Sequence, residues 1–243
     1  MSRTVAVFRP DDERAREAET LLSALGVEAL SDPMLAVEPT GAIARSDADY
    51  TVLTSKTGAE LLAGADFEPA GELVAIGAPT AEAIEAAGYE VDRLPAEFSS
   101  SGLVADLEGD VGGGRVEIAR SDHGSDVLLD GLNEAGAYVH ETVLYRLTRP
   151  PEAGHSTVAA AEGGLTGACF TSSLTVEHFL EAAEERGVRD RAIAGLNDAV
   201  VGAIGEPTEA TARSNGIGVD VVPDTASFEA LARAVVDRIR APR

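Results

Sequence analysis

Ala75-Ile-Gly-Ala-Pro-Thr80 is the stretch that decides the fold of this chain, because the chain contains it twice. The second copy is Ala203-Ile-Gly-Glu-Pro-Thr208. The echo continues without gaps, since Gly88–Pro95 corresponds to Gly216–Pro223. A Thr-Ser pair also precedes each copy, after Leu53 and after Phe170. This self-similarity predicts one fold unit used twice, and two copies of a unit commonly build a cleft between them.

The composition indicates a soluble protein of two domains. A chain of 243 residues can form two domains of roughly 100–120 residues each. It has no run of about 18 apolar residues and no apolar segment after a basic N-terminus, so we expect a cytoplasmic protein without membrane contacts. Its one cysteine, Cys169, fits a reducing compartment. Because it lies in the apolar run Ala168-Cys-Phe170, we interpret that cysteine as a buried hydrophobic residue and not as a nucleophile.

The charge is strongly acidic and nearly free of lysine. Asp and Glu number 42 against 19 basic residues, a net charge of −23, and Lys56 is the single lysine. This composition is typical of salt-accumulating halophiles, where a Debye length of about 3 Å at 1 M salt screens carboxylate repulsion. It argues against a nucleic-acid partner, which requires a basic face. The sequence shows no separate apolar patch that would form a subunit interface, so we expect a monomer.

Apolar and polar patterning predicts strands that alternate with helices. Strands are expected at 3–8, from 27 to 30, at 49–54, 73–76, 91–94, 115–119 and 138–147, before Phe170, and at 200–204 and 219–222. Helices are expected from Asp11 or Asp12 to 25, at 55–62, 79–87, from 99, at 125–135, 174–186, from 207, and at 227–240. The segment 149–154 is predicted to be a linker. Short loops between such elements indicate parallel α/β sheets.

Polar residues concentrate where the predicted strands end. In parallel α/β sheets, ligands bind outside the carboxyl ends of the strands. The candidate binding residues there are Arg9, Ser55, Lys56, Thr80, Arg120, Ser121, Thr171, Ser172, Ser173, Gly205 and Thr208.

The two Gly-x-Pro-Thr turns have both a structural and a functional interpretation. Glycine allows close approach, proline suits the first helical turn, and the free N–H groups of a helix start attract anions. Such a turn is also stable as a purely structural connection from a strand to a helix, without any ligand. Lys56 is either a cation that faces the ligand or a lysine that is retained by chance and has no functional role. Tyr145, which ends a long strand before the linker, is either a site residue or an anchor at the rim.

Other familiar motifs are missing or misplaced. Gly112-Gly-Gly114 precedes a strand, so it is not a dinucleotide fingerprint. No phosphate loop and no Gly-x-Ser-x-Gly elbow occurs. The four histidines have no ligand spacing, so we expect no metal site.

Taken together, these motifs resemble the uroporphyrinogen-III synthase family. The resemblance spans nearly the whole chain. It rests on the following segments in order: Arg9, Leu53-Thr-Ser55, Ala75–Thr80 with Gly88, Arg120–Gly124, Gly136–Tyr145, Phe170–Ser173 and Ala203–Thr208.

The resemblance implies the domain organisation and the reaction. Two similar α/β domains would be joined by two extended linkers, 33–36 and 147–150, with the active site between them. One domain would be discontinuous, comprising 1–32 and 151–243, and the other would be 37–146. The family is a cyclising lyase without metal or organic cofactor. It closes hydroxymethylbilane with inversion of ring D and loss of water.

The resemblance also implies roles for residues. The tyrosine that matches Tyr145 assists loss of the substrate hydroxyl. Thr80, Ser172, Ser173 and Thr208 would bind substrate carboxylates, with Arg9 and Arg120 as further candidates. Lys56 inherits no role. We expect molar salt to relieve repulsion between the acidic chain and its anionic substrate, and we expect transient contact with the upstream synthase. The alternative is a non-catalytic two-domain sensor of small anions, in which Tyr145 would be only structural.

Overall fold

The computed structural model describes residues 3–10, 12–65 and 67–241 of the chain. The strands are β1 (Thr4–Val7), β2 (Glu28–Ser31), β3 (Ala36–Pro39), β4 (Tyr50–Leu53), β5 (Glu72–Ala75), β6 (Arg115–Ser121), β7 (Tyr138–Thr148), β8 (Gly167–Phe170) and β9 (Val200–Ala203). The helices are α1 (Glu13–Ala24), α2 (Lys56–Ala63), α3 (Ala78–Ala86), α4 (Ser100–Leu107), α5 (Asp126–Glu134), α6 (His155–Ala161), α7 (Ser173–Glu185), α8 (Arg189–Asp198), α9 (Glu206–Ser214) and α10 (Phe228–Arg240).

The described residues divide into two compact units. Unit 1 comprises those within Met1–Ala36 and Thr148–Arg243, and unit 2 comprises those within Val37–Leu147. The predicted fold class, two parallel-sheet α/β domains of which one is discontinuous, is therefore confirmed. The predicted linkers 33–36 and 147–150 both include strand residues, because β3 begins at Ala36 and β7 continues to Thr148.

Unit 1 is a three-layer structure around a parallel sheet of order β2-β1-β8-β9. One face packs against α6, α7, α8 and α9, and includes a stack of Phe8 on Phe170 with 4.5 Å between ring centroids. The other face packs against α1 and α10 through residues such as Leu22 and Val235. Burial of apolar side chains on both faces explains why these strands are almost purely apolar.

Unit 2 repeats this plan around a sheet of order β3-β7-β6-β4-β5. The pairs β4–β5, β4–β6 and β6–β7 are parallel. Helices α2 and α3 cover one face, where Leu53, Leu62 and Ile84 are buried. Helices α4 and α5 cover the other face, around Val52 and Ile118.

The sequence echo corresponds to equivalent structure in both units. Gly77 and Gly205 precede α3 and α9 as extended N-cap residues. Asp92 Oδ2 accepts a hydrogen bond from the Leu73 backbone N–H at 2.8 Å, and Asp220 Oδ2 accepts the equivalent bond from Val201 at 2.9 Å. In each unit, the repeated aspartate therefore binds the segment that follows the helix to the start of a neighbouring strand.

The predicted strands at 91–94 and 219–222 are wrong. Each segment makes one isolated bridge, Val74 with Arg93 and Gly202 with Val221. The physical reason is that the aspartate side chain occupies a backbone N–H that a longer strand ladder would have used.

Three elements were missed, namely β3, α6 and α8. The strand predicted before Phe170 occupies only 167–170, and 155–161 is helical. Helix α6 is capped from far along the chain by Asp32, which a local pattern cannot show. Helix α8 begins without a side-chain cap. Of the two N-cap candidates for α1, Asp12 accepts from the Arg14 N–H at 2.9 Å, and Asp11 lies outside the described residues.

Candidate active site

Tyr145 and Ser55 meet at the carboxyl end of the unit 2 sheet. Tyr145, near the end of β7, is buried, with 5% of its surface exposed. Its hydroxyl donates a hydrogen bond to Ser55 Oγ, and 2.9 Å separates the two oxygens. Strand β6 lies between β7 and β4, so the tyrosine side chain spans the end of a neighbouring strand to reach the residue after β4.

A β-bulge orients Tyr145 toward α2. In the pairing of β7 with β6, Val143 lies opposite Arg120 and Tyr145 opposite Ser121, so β7 carries Leu144 as an extra residue. A bulge resets the alternation of side chains along a strand. Leu144 and Tyr145 are adjacent in the chain, yet both pack into the core on the α2–α3 face. Without the bulge, the tyrosine would point to the opposite face.

Ser55 is held in place by its own helix. It is the N-cap of α2, and its Oγ accepts the backbone N–H of Gly58 at 3.0 Å. Ser55 Oγ thus accepts two hydrogen bonds, while its own hydrogen has no acceptor among the described residues. The free N–H groups at a helix start favour negative charge nearby. The arrangement can therefore support proton donation by a hydroxyl at this point.

Lys56 is the first residue of α2 and points to solvent. Its side chain is 67% exposed, and Nζ lies 3.4 Å from Glu60 Oε1, one helical turn along α2. This is an ordinary surface ion pair, worth at most about 1 kcal/mol. The structure therefore shows Lys56 with a local partner at the helix start.

The turn from β5 into α3 presents the hydroxyl of a mostly buried threonine. Thr80 is 4% exposed, and its side chain has no hydrogen-bond partner among the described residues. The ring of Phe98 covers Gly77, where an added Cβ would lie 3.2 Å from the ring. Phe98 is itself 58% exposed, so it forms an apolar surface beside the helix start. Sequence reasoning missed this aromatic residue.

Arg120 has a structural role. It is 3% exposed, its Nε donates to Glu141 Oε1 at 2.5 Å, and its Nη1 donates to the Ser125 carbonyl at 2.6 Å. An added Cβ at Gly124 would overlap its guanidinium at 2.4 Å. The guanidinium thus organises the segment before α5, and we leave it out of the proposed site.

Ser121 and Asp122 follow at the end of β6, beside Tyr145. Ser121 Oγ accepts the backbone N–H of His123 at 3.3 Å. The Asp122 backbone N–H donates to the Tyr145 carbonyl at 3.2 Å. Burial alone would raise the pKa of Asp122, but hydrogen bonds from the His123 ring and from the Leu147 N–H outweigh it and hold that pKa below its usual value. The ionised carboxylate thus ties the end of β6 to β7.

At the carboxyl end of the unit 1 sheet, Arg9 follows β1 as a partly buried cation. Its guanidinium lies over the Phe228 ring, 4.9 Å from the centroid, and forms no ion pair among the described residues. Burial, followed by the positive charge of Arg14, lowers the pKa of Arg9, while the charges of Asp12 and Glu17 act in the opposite sense. A partly desolvated guanidinium that contacts no carboxylate among the described residues is suited to bind an anion.

The Thr-Ser-Ser turn after β8 lies beside Arg9's strand in the same sheet. Ser172 is the N-cap of α7 and forms a capping box with Thr175. Ser173 Oγ donates to the Pro207 carbonyl at 3.1 Å, which links this turn to the start of α9. The Thr171 side chain has no hydrogen-bond partner among the described residues. The bond from Ser173 thus joins the turn after β8 to the helix start after β9.

Thr208 mirrors Thr80. It lies at the third position of α9, after the extended Gly205, and is 4% exposed. Its side chain also lacks a hydrogen-bond partner among the described residues. As in Thr80, the hydroxyl oxygen itself reaches solvent, so it can form a hydrogen bond with a ligand.

Other reactive groups lie away from this arrangement. Cys169 is fully buried, and burial raises its pKa to about 12, so the thiol stays protonated and unreactive. Within the described ranges, no group of three or more histidine, cysteine or acidic side chains could hold a metal ion. In the same ranges, no helix is long and apolar enough to cross a membrane.

A cavity of about 420 Å³ in unit 2 also lies away from the hydroxyl pair. Arg45, Arg115 and Tyr138 line it, and the last two residues begin β6 and β7. The cavity is therefore at the amino ends of strands whose carboxyl ends carry Ser121 and Tyr145. We do not assign it to the candidate active site.

Sequence comparisons agree on one family. The family model described as uroporphyrinogen-III synthase HemD matches residues 16–233. A relative from Methanothermobacter thermautotrophicus, described provisionally as a uroporphyrinogen-III synthase, is 30% identical over 230 residues, covering 88% of this chain and 90% of the relative. The uroporphyrinogen-III synthase of Chlorobaculum parvum is 25% identical over 170 residues, covering 68% of this chain and 66% of its own length.

Solved structures with the same fold carry the same name. A mutant uroporphyrinogen III synthase of Thermus thermophilus matches with a TM-score of 0.70 at 20% identity, covering 98% of this chain and 99% of that one. The enzyme of Helicobacter pylori matches with a TM-score of 0.66 at 16% identity, covering 98% and 100% of the two chains. At these identities the likeness establishes the fold.

Proposed function

Because the chain belongs to the uroporphyrinogen-III synthase family, we propose that it closes hydroxymethylbilane into uroporphyrinogen III with Tyr145 as its catalytic residue. The observation that carries this assignment is the hydrogen bond from the Tyr145 hydroxyl to Ser55 Oγ at the start of α2. The residue that the family resemblance indicates is thus a buried phenol whose proton points to a polar helix start.

The first step is loss of the substrate hydroxyl. The Tyr145 hydroxyl exchanges its acceptor, Ser55 Oγ, for the leaving oxygen of the substrate and donates its proton to that oxygen. The carbon–oxygen bond breaks, the pyrrole nitrogen supplies electrons, and water and an electrophilic azafulvenium cation result. The charge left on the phenol oxygen lies near the N–H groups of α2, which favour it.

The later steps depend on conformation. Ring D attacks through its substituted position, and the spiro intermediate rearranges to the type III macrocycle. The proton released when the last ring regains its aromatic form restores the phenol, so one water is lost overall. Free substrate closes to the type I isomer, so the protein must hold one conformation of a flexible chain.

Substrate carboxylates provide the means of holding that conformation. We assign this contact to Arg9 and to the hydroxyl and N–H groups after the strands, namely Ser55, Thr80, Ser121, Thr171, Ser172, Ser173, Gly205 and Thr208. Support comes from the Arg9 guanidinium, which has no ion pair among the described residues, and from Thr80 and Thr208, mostly buried residues whose hydroxyls have no hydrogen bond there. A hydroxyl that exchanges solvent for a substrate carboxylate gains a charge-assisted hydrogen bond, which is stronger than a neutral one.

We further propose that the enzyme works as a monomer in a salt-rich cytoplasm and receives its substrate by transient contact with the upstream synthase. The net charge of −23 with a single lysine supports the salt-rich environment, and the single cysteine supports a reducing compartment.

Isomer analysis tests the proposed function. Freshly generated hydroxymethylbilane is added to the purified chain in molar KCl, and the products are oxidised and separated by chromatography. We expect predominantly the type III isomer. Production of only the type I isomer by folded protein, at the rate seen without protein, would contradict the proposal.

A further inference from the structure

We propose that a cavity along β7 in unit 2 is a carboxylate-binding subsite, in which Arg146 holds an acetate or propionate group of the substrate. The proposal rests on the proposed function for the identity of the ligand. The cavity has a volume of about 530 Å³, and Thr40, Ile43, Asp122, Thr142 and Arg146 are among its lining residues. That volume accommodates a substituted pyrrole ring.

The charge of Arg146 is uncompensated. Within the described part of unit 2, Lys56, Arg93, Arg115 and Arg120 form ion pairs with carboxylates. Arg45 and Arg146 have no such partner there. Arg146 is therefore one of two among the six lysine and arginine side chains in the described part of unit 2 that have no carboxylate partner, and it is exposed to solvent.

The two carboxylates that line the cavity together with Arg146, those of Asp122 and Glu141, already have other partners. Glu141 accepts from the buried Arg120 guanidinium at 2.5 Å. Asp122 accepts from the Leu147 N–H at 3.0 Å and contacts the His123 ring at 2.8 Å. The cavity therefore presents a guanidinium that is free to take an anion from outside, and its planar geometry allows it to bind a carboxylate through two hydrogen bonds.

Two neutral residues complete the chemistry. Thr142 is 6% exposed, and its hydroxyl has no hydrogen-bond partner among the described residues, so it can donate to a bound carboxylate. Ile43 is 66% exposed and gives the cavity an apolar side against which a pyrrole ring can lie. A cation, a hydroxyl donor and an apolar surface match a pyrrole that carries a carboxylate arm.

The position of the subsite relates it to the reaction. Arg146 directly follows Tyr145, and Leu147 N–H is fixed to Asp122, so the end of β7 is held firmly. The bulge at Leu144 turns Tyr145 toward α2, while Arg146 lines the cavity. One strand end thus carries both the catalytic phenol and the carboxylate contact.

Arg146→Gln tests the subsite, with Arg45→Gln as the matched control. Arg45 is the other arginine without an ion pair in the described part of unit 2, and it lines the cavity at the amino ends of the strands. We expect Arg146→Gln to raise KM for hydroxymethylbilane about tenfold or more, with kcat within about twofold of the parent. Arg146→Lys should recover part of the loss, and Arg45→Gln should change neither constant by more than about twofold.

Binding of uroporphyrin III, a stable carboxylate-rich tetrapyrrole, gives a readout that does not depend on turnover. Its absorbance change on titration reports Kd for the parent and both variants in the same KCl buffer. We expect Arg146→Gln to weaken binding about tenfold and Arg45→Gln to leave Kd unchanged. Equal Kd values for the three proteins, or no binding by the parent, would overturn the subsite. Failure of the parent to form type III product would instead overturn the proposed function.

Discussion

The hydroxyl of Tyr145 on β7 donates a hydrogen bond to Ser55 Oγ after β4, and 2.9 Å separates the two oxygens. This bond crosses the end of β6, which lies between those two strands. The serine is fixed by Gly58 and the tyrosine by burial in the α2–α3 core. Both partners are therefore pre-positioned, and the phenol proton has a defined direction before any substrate binds.

Tyr145→Phe should lower kcat by about 10²–10⁴, the usual contribution of a positioned general acid. KM should change little, because the phenyl ring still fills the buried site. The measurement is initial-rate kinetics with isomer analysis. Tyr138→Phe is the matched control, since this tyrosine begins the same strand, is 71% exposed and lies at its opposite end. If Tyr145→Phe kept parental kcat, Tyr145 would be a structural rim residue.

Ser55→Ala should reduce both stability and activity. Loss of the N-cap costs about 1 kcal/mol in the free energy of unfolding, and loss of the acceptor leaves the Tyr145 hydroxyl without its partner. Ser99→Ala separates the two effects, because Ser99 caps α4 in the same manner and accepts from the Gly102 N–H at 2.9 Å. Denaturant titration should show similar destabilisation of both variants. Only Ser55→Ala should lose kcat, and an equal loss in both would refute the assignment.

The elements that could be predicted from sequence are those determined by local signals. The N-cap residues of α2, α4 and α10 are such signals, namely Ser55, Ser99 and Ser227. Each accepts a hydrogen bond from the backbone N–H three residues later. The repeated Gly-x-Pro-Thr turn predicted both α3 and α9 correctly. Position after a strand was enough to bring Ser55 into the candidate set, whereas the catalytic role of Tyr145 came from the family resemblance.

Contacts between distant segments could not be predicted in this way. The pairing of Ser55 with Tyr145 depends on strand order and on a bulge, and neither leaves a periodic signal in the chain. Arg120 has the position of a ligand contact, but a glycine at 124 allows it to be buried. Arg146 was overlooked because a missing counter-ion becomes visible only when the neighbouring carboxylates are placed.

Thr80→Val and Thr208→Val should weaken substrate binding without unfolding the chain. Valine has nearly the volume of threonine, and neither hydroxyl has a hydrogen bond to lose among the described residues. We expect KM to rise several-fold in each variant. The free energy of unfolding should stay within about 0.5 kcal/mol of the parent. Kinetics and denaturant titration in the same buffer measure both quantities, and an unchanged KM in both variants would remove these threonines from the site.

Asp32→Ala should strongly destabilise the fold of unit 1. Asp32 is fully buried and accepts hydrogen bonds from the Gly154 N–H at 2.9 Å and the Ser156 N–H at 2.8 Å, and also from the Ser156 hydroxyl. The substitution leaves several donors at the start of α6 buried without acceptors. We expect a loss of at least about 2 kcal/mol in the free energy of unfolding, measured by denaturant titration.

Asp12→Ala is the comparison for Asp32→Ala, because Asp12 is an exposed cap of α1 with a bond to the Arg14 N–H. An ordinary cap costs about 1 kcal/mol. Equal losses in the two variants would show that burial of Asp32 adds nothing to its contribution.

Substrate affinity should rise with salt concentration. The chain carries a net charge of −23 and the substrate is a polyanion, so long-range repulsion opposes their encounter, and salt shortens its range to about 3 Å at 1 M. Contacts with Arg9 and Arg146 act at short distance and are screened less than the long-range repulsion. We therefore expect KM to fall as KCl is raised from the lowest concentration that keeps the chain folded, as judged by circular dichroism. A KM that rises steadily with salt, with the fold intact throughout, would show that attraction to these few arginines already outweighs the repulsion from the whole acidic surface.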